Sequence, residues 1–228
     1  MATPQPNSPQ ALLGRDGSFA RALAQGLDTP LSALRATMES FGHELQAVSV
    51  RPAMRPQRLA GVLQEVERLG KNVRELCDFA AAPVPQALAC TLDEIVTSAR
   101  AQLWPEQREQ VVAACEANVS IDVDGPLLAG CLRRLLENAL EATDELVLLV
   151  ARRAGDGASF TVVDDAPSAL GPDWQVVPFQ TTKPNHLGLG LALTQRDVAL
   201  IDGRLEFLSS PGGQTCVRIS IPSKGAGR

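Results

Sequence analysis

A leucine stripe with a single amide set into it constrains this chain more than any other feature. Leu132, Leu135, Leu136 and Leu140 recur at steps of three and four, the spacing of a helix that buries one face. Asn138 interrupts the stripe. With Arg134 and Glu141 it makes an i−4, i, i+3 row on one side of the same helix. Such a row either lines a polar cleft or faces water, and the helix alone does not choose between the two.

Composition narrows the classes open to the chain. Its 228 residues suffice for one large domain or two small ones, and 45% apolar content supports a real core. A net charge of −5 argues against nucleic acid as a partner. No apolar run reaches the ~20 residues of a membrane span, and the opening MATPQPNSPQ has neither the basic region nor the apolar core of a signal peptide. The five cysteines, Cys77, Cys90, Cys115, Cys131 and Cys216, form no CxxC pair and each sits in an apolar run. They read as buried thiols in a reducing compartment, with no disulfide framework and no zinc site. The expectation is a cytoplasmic protein without membrane insertion.

Three regions follow along the chain. Residues 1–15, rich in Pro, Ser and Gln, read as a loose tail. Residues 16–82 read as a two-helix hairpin. Its first helix carries Phe19, Leu23, Leu27, Leu31, Leu34, Met38, Phe41 and Leu45 near a heptad seam, with a bend at Pro30, and its second carries Leu59 to Phe79. Two such helices cannot bury both seams alone, so a homodimer forming a four-helix bundle is expected. AAPVPQA at 81–87 reads as a linker. Residues 88–223 mix helices and strands. Helices are expected over 92–103, capped by Thr91 with Glu94, from Asp124 through the leucine stripe, and over 189–201, ended by Gly203. Strands are expected over 110–115, 119–123, 145–152, 159–163, 205–208 and 216–221. The predicted fold class is α+β: the N-terminal hairpin followed by an α/β sandwich with one sheet covered on one face by helices.

Four short motifs stand in order in this second region: ENALEA around Asn138, VVDDAPSAL at 162–170, PFQTTK at 178–183 and HLGLGLAL at 186–193. Their order and spacing resemble the ATP-binding domain of two-component sensor histidine kinases, the Bergerat-type (GHKL) fold shared with gyrase and MutL. The two-helix segment, with LDTPLSAL at 27–34, is similar to the dimerisation and phosphotransfer hairpin of the same kinases. The resemblance implies that Asn138 is the Mg²⁺-binding asparagine, Asp164 the adenine-reading carboxylate and Thr215 its helper. It implies that Gly188 and Gly190 belong to the second glycine box and that Lys183 reaches a phosphate. The chemistry agrees. A carboxamide oxygen is a hard ligand suited to Mg²⁺ shared with phosphates, and a helix N-terminus attracts phosphate. The implied cofactors are ATP or ADP with Mg²⁺. Phe179 is expected to pack rather than to touch ligand.

Departures from the family pattern carry equal weight. Both glycines of the first glycine box are lost in Asp164, Asp165, Ala166, Pro167, Ser168, which predicts a different loop path. Only three residues separate Lys183 from Leu187, so the lid over the nucleotide is nearly absent. Where the family has an asparagine four residues before Asn138, this chain has Arg134. The phosphoacceptor motif H-E-L-R-T-P-L becomes Gln25, Gly26, Leu27, Asp28, Thr29, Pro30, Leu31, and a glutamine amide is not a nucleophile.

The expectation is therefore a dimeric, histidine-kinase-like signalling protein that binds Mg–ATP or ADP and docks a response regulator receiver domain or another kinase, with a degenerate, pseudokinase-like acceptor. Three alternatives remain. Gln25 and Thr29, one helical turn apart, would serve a response-regulator phosphatase. His43 would be the acceptor of an active kinase. A non-enzymatic dimeric adaptor would need neither. His186 stands among the glycines as a phosphate contact or a plain loop residue.

Overall fold

A computed structural model describes residues 66, 70–80, 83–167, 176–181, 183, 186–209 and 213–222. Its contacts divide the chain into two units, Met1–Ala81 with Phe179–Leu189, and Ala82–Pro178 with Gly190–Arg228. Of the expected hairpin, the described part is residue 66 and residues 70–80, which are helical. Gln25, Thr29 and His43 lie outside the described residues.

The second unit is an α+β domain. Its strands are β1 (Leu88–Thr91), β2 (Val111–Cys115), β3 (Ser120–Val123), β4 (Val147–Ala154), β5 (Gly157–Pro167), β6 (Arg204–Ser209) and β7 (Gln214–Ile221). Its helices are α1 (Leu92–Ala101), α2 (Pro105–Glu109), α3 (Gly125–Leu140) and α4 (Gly190–Leu200). Five strands form a mixed sheet in the order β2-β4-β5-β7-β6. β2 runs parallel to β4, and the other neighbours are antiparallel.

Local chemistry explains where the helices begin. Thr91 and Glu94 form the expected capping box, with Glu94 N donating to Thr91 Oγ1 at 3.2 Å and Thr91 N donating to Glu94 Oε2 at 2.8 Å. Asp124 caps α3 by accepting from Leu127 N at 2.8 Å, with Pro126 in the first turn.

The strand period then seats the helices. Val147, Leu149 and Ala151 of β4 are 0–1% exposed, whereas Leu148 is 38% exposed. The inward residues join Val217, Ile219 and Ile221 of β7 and the stripes of α1 and α3 in one core. On α3 that stripe is Leu128, Leu132, Leu135, Leu136 and Ala139, all buried.

Several expectations are corrected. There are two sheets, not one, because Leu88–Thr91, not assigned as a strand, pairs antiparallel with β3 apart from the main sheet. The short helix α2 was also unforeseen; it buries no residue and so leaves no apolar period to read. β5 does not end at 163 but continues through a bulge to Pro167. At the end of α4 the left-handed residue is Asp202, with φ 59°, rather than Gly203. Gly203 N donates to Val198 O at 2.9 Å, and a Cβ at this glycine would stand 2.7 Å from Ile221 Cδ1, so any side chain here must displace that methyl. All five thiols are free, but only Cys131 is buried. Cys115 and Cys216 lie on strands, half-buried, and Cys77 is exposed on the helical segment.

Phe160 of β5 is fully buried at the centre of this core. Phe160→Ala is expected to destabilise the domain by about 3–5 kcal/mol, read as a lowered urea midpoint at an unchanged denaturant slope.

Candidate functional site

The expected adenine-side residues meet on the main sheet. Asp164 of β5 and Thr215 of β7 are direct cross-strand partners. Asp164 is 5% exposed, a carboxylate held nearly dry. Its Oδ1 accepts from Ala166 N at 3.0 Å. Thr215 does not donate to the carboxylate; its hydroxyl donates to Ala166 O at 3.1 Å. Both side chains thus brace the first residue that replaces a glycine of the usual box. The described non-glycine residues with positive φ are Asn118, Phe179 and Asp202. Ala166 is not among them, so the chain escapes the glycine requirement by remaining a bulged strand.

The two adjacent acids have separate tasks. Asp165 is exposed and accepts a short hydrogen bond from Thr143 Oγ1, while Glu145 N donates to that same hydroxyl at 3.0 Å. Asp165 therefore ties the end of β5 to the turn after α3, and Asp164 alone lies on the buried face.

Asn138 is half-buried in the last turn of α3. The row expected with Arg134 and Glu141 is not one continuous surface. Arg134, one turn earlier, points inward to an ion pair with Asp197 of α4, their side chains being 8% and 2% exposed. Arg134 Nε also donates to Thr194 Oγ1 at 3.3 Å, and Thr194 Oγ1 donates to Gly190 O at 2.9 Å. Asp197 is further held by Arg196 at 2.8 Å. α3 is thus fastened to the first turns of α4, where Gly190 stands. A Cβ at Gly190 would meet nothing within 4 Å. Periodicity had left Arg134 on the polar side. The overlooked signal was Asp197, a lone acid among the buried residues Leu193, Thr194 and Val198 of α4.

Burial pushes the Cys131 thiol up to about 12, against a smaller opposing pull from the Arg134 guanidinium. The neutral thiol packs below Arg134, whose NH2 group contacts its sulfur at 3.8 Å.

Gly188 and Lys183 belong to the other unit. Phe179 N donates to Gly188 O at 3.1 Å, closing a short loop. Gly188 has φ +67°, and a Cβ there would stand 2.6 Å from Gln180 O. The loop itself therefore demands this glycine. Lys183 N donates to Thr181 Oγ1 at 3.0 Å. Phe179 packs edge-on against Phe79, with ring centroids 5.4 Å apart and planes at 70°, the packing role expected of it. His186 is half-buried in the same loop.

Residues 123–225 match the family described as histidine kinase-, DNA gyrase B-, and HSP90-like ATPase. That stretch contains α3, both acids of β5, α4 and Thr215. The C4-dicarboxylate transport sensor protein DctS of Rhodobacter capsulatus is 26% identical over 219 residues, covering 90% of this chain and 33% of the relative. DctB of Rhizobium meliloti (strain 1021) is 27% identical over 216 residues, covering 87% and 33%. The chain therefore spans about a third of the length of these relatives. Among solved structures, the histidine kinase ThkA in complex with the response regulator protein TrrA superposes with a TM-score of 0.73 at 16% identity, over 98% of this chain and 66% of that one. The Acinetobacter baumannii histidine kinase AdeS gives 0.65 at 16% identity, over 87% and 98%. The domain has the fold of histidine-kinase catalytic domains, and residues 123–225 resemble the ATPase domain of that family.

Two outcomes test this geometry. Gly188→Ala forces both a strained φ and a backbone clash, and should open the 179–188 loop to limited proteolysis while leaving cleavage of the sheet unchanged. For Cys131, a thiol raised by burial favours folding at any pH below its unfolded value near 9 and loses that contribution as pH climbs toward about 12. The urea midpoint should fall across that window, and less steeply in Cys131→Ala.

Proposed function

We propose that this chain holds a Mg–ATP or Mg–ADP complex in its second domain and signals through it without accepting phosphate at the usual position. The observation that carries the reading is Asp164, a nearly dry carboxylate at a cross-strand pair with Thr215, inside the matched segment 123–225. A carboxylate so placed accepts a hydrogen bond from an exocyclic amine in competition with little water. Asn138 supplies a carboxamide oxygen for Mg²⁺. Among the described residues no group of three or more His, Cys, Asp or Glu converges. A Mg²⁺ held between Asn138, phosphates and water suits that donor set, because the ion keeps several waters and takes few protein ligands. The N-terminus of α4 at Gly190 offers backbone N–H groups toward anionic oxygens. Gly188 and Lys183 remain the contacts that the resemblance implies, from the second glycine box and the TTK motif.

ATP held there would supply a γ-phosphate for transfer, and here the chain parts from a working kinase. Gln25 and Gly26 stand where the family motif has its acceptor histidine and acid, so no phosphohistidine forms there. The role that remains is a divergent, pseudokinase-like one. The hairpin of residues 16–82 would dimerise, and would dock a response regulator or a partner kinase. That ThkA is solved with the response regulator TrrA supports this choice of partner. Among the described residues no helix is long and apolar enough to cross a membrane.

Calorimetric titration of the full chain with Mg–ADP tests the site. Asp164→Asn and Asn138→Ala should each weaken binding by about 10- to 100-fold, the range of a lost charge-assisted contact. Absence of binding by the wild type would leave the adaptor reading in its place. Incubation with γ-³²P-ATP should give no stable label, and a label lost in His43→Ala would overturn the pseudokinase assignment. Faster decay of a phosphorylated receiver, slowed by Gln25→Ala or Thr29→Ala, would favour the phosphatase.

A further inference from the structure

One nearly dry ion pair in the second unit serves none of the roles above. Arg134 and Asp197 join α3 to α4 through nearly solvent-free side chains. The carboxylate is satisfied at both oxygens, by Arg134 on Oδ2 and by Arg196 on Oδ1. Arg134 spends a second donor on Thr194 Oγ1, which is itself bonded to Gly190 O. A chain of polar contacts therefore runs from the helix that carries Asn138 to the first residue of the helix proposed to face phosphate.

A buried ion pair is a poor source of net stability, because desolvation cancels most of its attraction. What it supplies is direction. The leucine stripe of α3 fills its side of the core with interchangeable aliphatic surface and tolerates small rotations. The fork of Arg134 does not, since it must meet Asp197 and Thr194 at once. Residues four apart on a helix differ by about 40° in direction, so whatever fixes Arg134 also fixes Asn138.

We propose that Arg134 is a positioning residue for the Mg–nucleotide site. Its ion pair with Asp197 sets the rotation of α3 against α4 and thereby the place of the Asn138 carboxamide, and Arg134 itself does not bind phosphate. This rests on the nucleotide reading given above.

The test uses the full chain, with ADP titrated calorimetrically in Mg²⁺ and again in EDTA, and with thermal unfolding followed in parallel. Arg134→Met should weaken Mg–ADP by about tenfold, whereas ADP in EDTA should change by less than about threefold, because a displaced metal ligand acts only through the metal. The decisive variant is the double exchange Arg134→Met with Asp197→Leu. Replacing both partners by apolar groups should return the unfolding temperature to near that of the wild type, yet Mg–ADP should stay about tenfold weaker. Arg134→Lys keeps the charge but loses the fork, and should fall between wild type and Arg134→Met; it also serves if the methionine variant does not fold. Recovery of Mg–ADP affinity together with stability in the double variant would overturn the proposal and leave the pair a stabiliser only. Equal losses with and without Mg²⁺ would overturn it in favour of direct phosphate contact. A wild type that binds neither form would sink the nucleotide reading itself, a result separate from any pattern among the variants, and would remove the positioning role with it.

Discussion

The structure of the second domain depends on the seating of α3. Leu128, Leu132, Leu135 and Leu136 are each 0–2% exposed, and each contributes about 1.5–3 kcal/mol by leaving water. No polar contact nearby approaches that sum. The stripe therefore decides that α3 lies in the core with the sheet, and the caps at Asp124 and Thr91 decide where the covering helices start. Within that seat the ion pair of Arg134 and Asp197 adds little net energy, though removing one partner alone is expected to cost about 3–5 kcal/mol. Aliphatic packing holds the helix, and the buried charges orient it.

Function follows from what this arrangement leaves at the edges of the core. Asn138 stands at the end of α3, where the stripe gives out and the helix becomes half-buried. Asp164 sits on the buried face of β5, while its neighbour Asp165 is drawn away by Thr143. The bulge after Asp164 lets Ala166 replace a glycine without a left-handed backbone. On the proposed reading these features form a nucleotide-type site on a chain that has lost the glycines of its first box. The same reading takes Gln25 and Gly26 as the degenerate acceptor position.

Much of this was legible in the sequence because its causes are local. The capping box of Thr91 and Glu94 is a four-residue signal, and the α3 stripe needs only a helical period. The strands at 205–208 and 216–221 are short apolar runs, read from a period of two. What escaped had no local signature. Leu88–Thr91 is a four-residue strand without a buried residue, and α2 has no buried face at all. The inward turn of Arg134 depends on Asp197, 63 residues away, so its neighbours in sequence place it with the solvent-facing polar residues. Cys115 and Cys216 are only half-buried because a strand in an apolar run still turns alternate residues outward.

The central claim is that the domain binds a Mg–nucleotide through Asn138 and Asp164 while Arg134 stays committed to Asp197. A crystal structure of the chain with Mg²⁺ and a non-hydrolysable ATP analogue tests it most directly. The account predicts the adenine amine within hydrogen-bond distance of the Asp164 carboxylate, the Asn138 carboxamide oxygen on the metal, and the Arg134–Asp197 pair intact. A nucleotide bound away from Asp164, or Arg134 released from Asp197 onto the phosphates, would contradict it.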